Sequence, residues 1–218
     1  MNDIDKEKII VVDFGSQVTK LIARRIRELG VFSEVLTLNQ LKKIQSFKKI
    51  KGLILSGGPA TVTKKSFPKI PMYIFSKNIP ILGICYGLQL IAKNFGGKVK
   101  SGSKKREFGR AILKKNKNSL LTKNFFKKSK TKVWMSHQDT VYRIPKGFNK
   151  IASTKDSALT IIENKEKKLF GIQFHPEVTH TDKGDVLIKN FIYSICKAKK
   201  SWKMNYEKER IIKNIKEK

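Results

Sequence analysis

The chain has 218 residues, a length that suits one globular domain or one domain with an appendage. Its 48 lysine and arginine residues outnumber 17 acidic ones and give a net charge of +31, but they are spread along the whole chain without interleaved aromatic residues. This distribution argues against nucleic acid as a partner, and the lack of an apolar run of about 18 residues argues against a membrane partner.

The first half of the chain alternates β-type apolar runs with helical patterns. Strands are predicted at 9–13, 34–36, 52–56 and 79–84, and helices at 18–29 and 86–95. Such alternation with short loops predicts an α/β fold, a three-layer, mainly parallel open sheet with helices on both faces. Ligands of such sheets bind beyond the carboxyl ends of the strands.

The second half changes to shorter strands, predicted at 110–113, 132–135, 158–162 and 169–174. We expect these strands to form a small antiparallel extension, with residues 114–132 as a basic surface excursion. A closing helix is predicted from Gly184 to Lys199.

The last residues have only a thin apolar stripe within a Lys- and Glu-rich run, which indicates a linker or a helix that needs a partner. We therefore predict one domain over residues 8–198 and a linker or helix over residues 199–218.

The segment Gly83-Ile84-Cys85-Tyr86-Gly87 places a cysteine between a buried strand and a helix, with a glycine two residues away on each side. This arrangement is typical of a nucleophile elbow. The helix N-terminus favours the thiolate, and the N–H of Tyr86 can stabilise an oxyanion. A small cysteine at a tight junction explains the pattern equally well. The other cysteine, Cys196, is expected to be a packed thiol.

The segment His175-Pro176-Glu177 follows a predicted strand, where residues i and i+2 face the same side. Pro176 keeps the chain extended, so one side chain can take the Cys85 proton while the other orients the imidazole.

Two further polar segments follow strands. The N–H groups of Ser56-Gly57-Gly58-Pro59 can bind an oxyanion. Met135-Ser136-His137-Gln138-Asp139 is predicted to be a loop with a helix cap.

Together these motifs resemble the class I glutamine amidotransferases over about residues 8–196, in the expected order and spacing. Several details resemble the amidotransferase domains of GMP synthetases in particular, namely Val12–Gln17, Cys85–Gln89, Arg106–Gly109, Trp134–His137 and His175–Thr181.

The resemblance implies that Cys85 attacks the side-chain amide of glutamine, with His175 as base and then acid and Glu177 as the third member of the triad. Backbone N–H groups of Gly58 and Tyr86 would form the oxyanion hole. The same resemblance assigns glutamine binding to Gly57, Gln89, Ser136 and His137, the last two through their backbone.

The resemblance also implies partners and cofactors. The substrate would be L-glutamine, and the ammonia would pass to an ATP-pyrophosphatase (synthetase) domain, in cis or as a separate subunit, that uses ATP and Mg²⁺ to convert XMP to GMP. The phosphate loop Ser-Gly-Gly-Val-Asp-Ser of that domain is not in this sequence. The glutaminase step would need no metal or organic cofactor. Arg106 and Glu107 are the first candidates for contact with the partner.

Three alternatives remain open. The acceptor could belong to an anthranilate-type synthase, although those proteins usually have Leu-Gly-His after the cysteine. The chain could be a non-catalytic regulatory or basic nucleic-acid-binding module on the same fold. It could also be a general cysteine hydrolase, although the order Cys, His, Glu differs from that of α/β-hydrolases. The polar N-terminus resembles neither a signal nor a transit peptide, which predicts a cytoplasmic location.

Overall fold

The structure, a computed structural model, describes residues 7–102 and 107–202. The strands of the first half are β1 (Lys8–Asp13), β2 (Phe32–Thr37), β3 (Ile50–Leu55), β4 (Ile81–Ile84) and β5 (Lys98–Ser101). Those of the second half are β6 (Glu107–Lys115), β7 (Lys130–His137), β8 (Asp139–Arg143), β9 (Asn149–Ser153), β10 (Ile161–Asn164) and β11 (Leu169–Ile172). The helices are α1 (Thr19–Glu28), α2 (Leu38–Lys42), α3 (Met72–Phe75), α4 (Tyr86–Asn94) and α5 (Gly184–Lys189), and α5 continues into a π-helical segment, Asn190–Ile195.

A single nine-stranded sheet organises the domain in the order β2-β1-β3-β4-β11-β10-β9-β6-β7. The strands β2, β1, β3, β4 and β11 are parallel to one another, and every pairing from β11–β10 to β6–β7 is antiparallel. A separate antiparallel pair joins β5 to β8. The predicted α/β class with a mainly parallel sheet and a small antiparallel part is thereby confirmed.

The two faces of the sheet are covered by different helices, as the alternation along β1 shows. Ile9 and Val11 point into a core shared with α1, α5 and the π-helical segment. Ile10 and Val12 point into the opposite core, which contains the buried side chains of α2, α3 and α4. Because strands buried on both faces need apolar residues at every position, the continuous β-branched run of β1 is explained.

Strand β11 has a neighbour that the sequence did not predict. It was expected in the antiparallel extension and is antiparallel to β10, but its other edge is parallel to β4, with Gly171 opposite Gly83 and Ile172 opposite Ile84. β11 therefore belongs to the centre of the sheet, and the residues after it emerge at the same edge as the residues after β4.

The strand predicted at 158–162 was misplaced, because β10 runs from Ile161 to Asn164. Side-chain hydrogen bonds hold the preceding residues in a turn: Thr154 Oγ1 accepts from the N–H of Ser157, and the hydroxyl of Thr160 donates to the carbonyl of Ser157. Such local bonds compete with regular strand pairing.

The segment from Met135 to Asp139 was also wrongly predicted. It forms the end of β7 and the start of β8, with no helix to cap. Burial alternates through Met135, Ser136 and His137, with the middle residue exposed and its neighbours buried, as an extended strand requires.

The closing helix ends earlier than predicted, at Ile195 rather than Lys199. Lys197 has a left-handed φ of 55°, which stops the helix. Beyond it, Trp202 is buried, and its backbone N–H donates to the carbonyl of Gly30 at 2.9 Å. Residues 199–202 thus pack on the domain, and the rest of the predicted linker, 203–218, lies outside the described residues.

Candidate active site

Cys85 lies at the junction of β4 and α4 in a conformation that few residues adopt. Its φ of 52° and ψ of −105° are unfavourable for a residue with a Cβ, and such values recur at functional sites. The N–H of Cys85 donates to the carbonyl of Ile172 at 2.8 Å, and its carbonyl accepts from the N–H of Gln89 at 3.3 Å. The predicted nucleophile elbow is thus held by the sheet on one side and the helix on the other.

The two glycines that flank the elbow are required by close packing. A Cβ at Gly83 would collide with the backbone of Gly87, and a Cβ at Gly87 would collide with the carbonyl of Leu55. Strand β4, helix α4 and strand β3 can therefore approach closely enough to present Cys85 above the sheet edge.

His175 and Glu177 follow β11 and lie beside the elbow. His175 Nδ1 is 2.8 Å from Glu177 Oε1, and the relative exposures of the two residues are only 8% and 1%. Cys85 lines the same cavity as His175, and it is close enough to the imidazole to raise its pKa. The structure therefore brings the three predicted triad residues together, with His175 between the thiol and the carboxylate.

The backbone of His175 is fixed by strand β7 and by one threonine. Its N–H donates to the carbonyl of Trp134 at 3.2 Å, and its carbonyl accepts from Thr181 Oγ1 at 2.6 Å. Thr181 Oγ1 also accepts from the N–H of Trp134 at 3.0 Å. These bonds tie the loop after β11 to β7 and so position the imidazole.

Burial lowers the pKa of His175, but hydrogen bonds that the protonated ring donates to Cys85 and Glu177, together with the charges of both groups, outweigh it and raise the pKa to about 10. The imidazole of the free site therefore carries two protons at neutral pH.

The turn after β3 approaches the same point. A Cβ at Gly57 would lie 3.3 Å from His175 Cε1 and 3.7 Å from Cys85 Cβ, so a side chain there would press on the imidazole. Ser56 Oγ donates to the carbonyl of Gly57 at 2.7 Å and accepts from the N–H of Phe14 at 3.0 Å. The turn is thus rigid, with Gly58 in the walls of the cavities described next.

Two cavities meet at Cys85, with volumes of about 480 Å³ and 450 Å³. Both are lined by Cys85, Gly58, Pro59 and Ser136. The first, which we call the histidine-side cavity, is also lined by Gln17, Val18, Trp134, His175 and Val178. The second, the glutamine-side cavity, is also lined by Lys64, Tyr86, Gln89, His137 and Asp139. The thiol is therefore accessible from two sides with different chemistry.

The glutamine-side cavity has the groups expected for a zwitterionic amino acid. Lys64 and Asp139 supply one charge of each sign, and the Asp139 carboxylate accepts a hydrogen bond from the hydroxyl of Thr61. Gln89 lies one helical turn after Cys85, and its Nε2 donates to the carbonyl of Asp139 at 3.0 Å. Sequence reasoning missed Lys64 and Asp139 as candidates, since their spacing from Cys85 has no local pattern.

Ser136 and His137 enter the site in different ways. The carbonyl of Ser136 lies 3.7 Å from Cys85 Sγ. The His137 ring is occupied on both sides, with Nε2 3.1 Å from Glu107 Oε2 and Nδ1 3.1 Å from the carbonyl of Asp139. Glu107 also accepts from Thr154 at 2.8 Å, so its carboxylate joins β7 and the residue after β9. Arg106, the other partner-contact candidate, lies outside the described residues.

Gln173 is a site residue that the sequence prediction missed. Its side chain is fully buried, and Nε2 lies 3.7 Å from Cys85 Sγ. A signal existed: Gln173 is a polar residue within an apolar run and lies two residues before His175, on the same side of an extended chain.

Within residues 7–102 and 107–202, no group of three or more His, Cys, Asp or Glu side chains is arranged to hold a metal ion. No helix in those ranges is long and apolar enough to cross a membrane.

Comparison of the sequence with known proteins identifies a family and several relatives. Residues 10–195 match the family "Glutamine amidotransferase class-I". The chain is 46% identical over 217 residues to a Brachyspira hyodysenteriae protein and 47% identical over 220 residues to a Prochlorococcus marinus protein, both named GMP synthase [glutamine-hydrolyzing]. These matches cover 99% of this chain but 41% of each relative, so the chain spans about two fifths of their length.

A solved structure has the same fold, and this chain matches nearly all of it. The chain superposes with a TM-score of 0.75 and 31% identity on a Thermoplasma acidophilum protein that is described as one of the subunits of a GMP synthase. The match covers 88% of this chain and 94% of that one.

Proposed function

The chain belongs to the class I glutamine amidotransferase family, and on that premise we propose that it hydrolyses L-glutamine through a thioester on Cys85 and supplies the ammonia for ATP-dependent conversion of XMP to GMP. The observation that carries the hydrolytic part is that Cys85 and His175 line one cavity while Nδ1 of His175 is held by the buried Glu177. This is the arrangement of an activated nucleophile, its base and an orienting acid.

In the acylation step, the thiol proton of Cys85 is already on His175, and the Sγ thiolate attacks the side-chain carbonyl carbon of glutamine. The carbonyl electrons move to oxygen, and the resulting oxyanion accepts hydrogen bonds from the N–H groups of Gly58 and Tyr86. His175, already protonated at neutral pH because its pKa is about 10, gives its proton to the leaving nitrogen. The C–N bond breaks, and ammonia and the glutamyl thioester result.

In the second step, His175 has to act as a base. Acylation removes the hydrogen bond and the charge of Cys85, which are two of the causes that raise the His175 pKa. Burial, which lowers that pKa, then has more weight. The imidazole can take a proton from water, the resulting hydroxide attacks the thioester, the C–S bond breaks, and the thiolate and glutamate are released.

The different linings of the two cavities support different roles for them in the reaction. Gln89, Lys64 and Asp139 lie only on the glutamine side, whereas His175 lies only on the histidine side. Glutamine therefore enters along the charged side with its amide nitrogen directed at His175. Ammonia leaves, and the hydrolytic water enters, through the cavity beside Val178 and Trp134.

The acceptor half of the proposal is supported by the named relatives. Two of them are called GMP synthase [glutamine-hydrolyzing] and match this chain over 41% of their length, which leaves room in those proteins for a synthetase domain. The Thermoplasma acidophilum protein, of which 94% is covered, is described as a subunit. We therefore propose an ATP-pyrophosphatase partner, in cis or as a separate subunit, that holds ATP and Mg²⁺. The glutaminase step itself uses no cofactor in this proposal, and a cytoplasmic location remains a prediction of the sequence.

The test is release of glutamate from glutamine by this chain, alone and with a separately supplied ATP-pyrophosphatase domain, ATP and XMP, with Cys85→Ala as control. We expect slow release by the chain alone, Cys85-dependent acceleration by the loaded partner, and formation of GMP.

Two results would count against the proposal in different ways. A full-rate glutaminase that ignores the loaded partner would contradict coupling to GMP formation. No Cys85-dependent release under either condition would contradict glutamine hydrolysis and favour the regulatory alternative.

A further inference from the structure

Gln173 is a buried polar side chain that the proposed mechanism does not use. It follows β11, and its backbone N–H donates to the carbonyl of Thr160 at 2.9 Å. Its Nε2 lies 3.7 Å from Cys85 Sγ, a distance at which an amide N–H can donate to sulfur. Among the described residues, its Oε1 is buried without a hydrogen-bond partner.

The unpaired Oε1 shows that Gln173 is a poor choice for stability alone. A buried carbonyl oxygen that loses its water without gaining a donor destabilises the folded state. A methionine of similar length would fill the same space without that cost. The benefit of the amide therefore has to come from its other end, which faces Cys85.

The sulfur of Cys85 lies between two groups that prefer opposite protonation states. The carbonyl of Ser136, 3.7 Å away, can accept from a thiol but repels a thiolate. Gln173 Nε2, also 3.7 Å away, can donate to a thiolate. Without Gln173, one of the groups that offset the repulsion between the Ser136 carbonyl and a thiolate would be lost.

Building on the glutamine hydrolysis proposed above, we propose that Gln173 is a positioning residue that donates a hydrogen bond to the Cys85 sulfur, favours its thiolate and holds it in line for attack on the substrate carbonyl. Gln173 contacts neither substrate nor product in this proposal and acts only through Cys85.

Other charged or titratable groups also face this part of the site. His175 and Glu177 follow β11, Tyr86 begins α4, and Asp139 and Lys64 lie across the glutamine-side cavity. They are unchanged in a Gln173 variant, so a difference between variant and wild type reports the Gln173 contact.

The experiment measures the rate of Cys85 alkylation by iodoacetamide against pH in the full chain, read by mass spectrometry of the Cys85 peptide. Alkylation needs no glutamine turnover, so it tests the role of Gln173 separately from the proposed glutamine hydrolysis. Cys196 does not interfere, since it lies on a different peptide and burial raises its pKa. For Gln173→Met we expect the midpoint of the pH profile to move up by about one unit, a tenfold loss of thiolate at a given pH below it.

Stability and kinetics separate positioning from a structural role. For Gln173→Met we expect an unchanged or higher Tm together with a fall of about tenfold in kcat. A matched control is Ser157→Ala, which removes another buried oxygen without a partner but one that makes no hydrogen bond to Cys85. We expect that variant to keep the wild-type alkylation profile.

Three results would overturn the proposal. One is a Gln173→Met profile that coincides with wild type. A second is a midpoint that moves to lower pH, which would mean that the amide oxygen faces the sulfur. The third is a lowered Tm whose loss of folded protein accounts for all of the lost activity.

Discussion

The molecule contains two regions in which a buried histidine pairs with a carboxylate, and they serve different purposes. At the carboxyl edge of the parallel strands, His175 Nδ1 lies 2.8 Å from Glu177. At the β6–β7 pair, His137 Nε2 lies 3.1 Å from Glu107. The first pair leaves the other side of the ring to Cys85, whereas the second pair uses the remaining nitrogen for the carbonyl of Asp139.

The difference teaches that a histidine–carboxylate pair is not by itself a catalytic signal. What matters is whether the free ring nitrogen meets a nucleophile or a backbone acceptor. The His137 ring, with both nitrogens occupied, joins β6, β7 and β8 and holds one wall of the glutamine-side cavity. The four predictions that follow compare the two regions.

The largest expected effect is the difference in catalytic importance between the carboxylates of Glu177 and Glu107. Glu177→Gln should lower kcat/KM for glutamine on the order of 10²–10⁴-fold, because the imidazole loses the anion that orients it and stabilises its charge. Glu107→Gln should lower it by less than about threefold, since one acceptor for His137 remains. Steady-state glutamate release checks both. An equally large loss in a folded Glu107→Gln variant would remove the distinction.

The next effect distinguishes the roles of the two cavities beside Cys85 by their influence on KM and kcat. Lys64→Met should raise KM by roughly tenfold with little change in kcat, because a charge-assisted contact to the substrate carboxylate is lost. Val178→Trp should lower kcat by roughly tenfold with little change in KM, since it narrows the exit beside His175. The same change in KM and kcat for both variants would contradict the assignment of the cavities.

The third effect concerns the contribution of the second pair to stability. Glu107→Leu leaves His137 and Thr154 without their acceptor and should lower the free energy of unfolding by about 1–3 kcal/mol. The experiment is urea denaturation of wild type and variant at one pH. A variant as stable as wild type would mean that the Glu107 contacts contribute nothing net to the fold.

The smallest effect concerns pH. The folded-state pKa of His175, about 10, is above the usual value of 6.5, so its stabilising contribution is complete below pH 6.5 and is lost as pH rises through about 10. Glu177→Gln removes one cause of that shift. Between pH 6 and pH 10 the variant should therefore lose less stability than wild type in urea denaturation. Parallel curves would contradict the proton assignment.

The sequence by itself determined the local features of this protein. The β-branched run of β1, the helical spacing of α1 and the glycines around Cys85 are set by steric rules that operate within a few residues, so these elements were predicted within about two residues of their place. The pairing of His175 with Glu177 was also predicted, but the extended chain expected there was wrong, because Pro176 and Glu177 lie in a turn that brings the two side chains together.

Only the tertiary structure decided which local features meet. β11 is inserted between β4 and the antiparallel strand β10, and this places His175 beside Cys85, 90 positions away in the sequence. The same insertion brings Gln173 to the sulfur and creates cavities on both sides of it. Such contacts depend on which strand pairs with which, a choice made by burial of the whole sheet between two helical layers, and no short stretch of sequence contains that information.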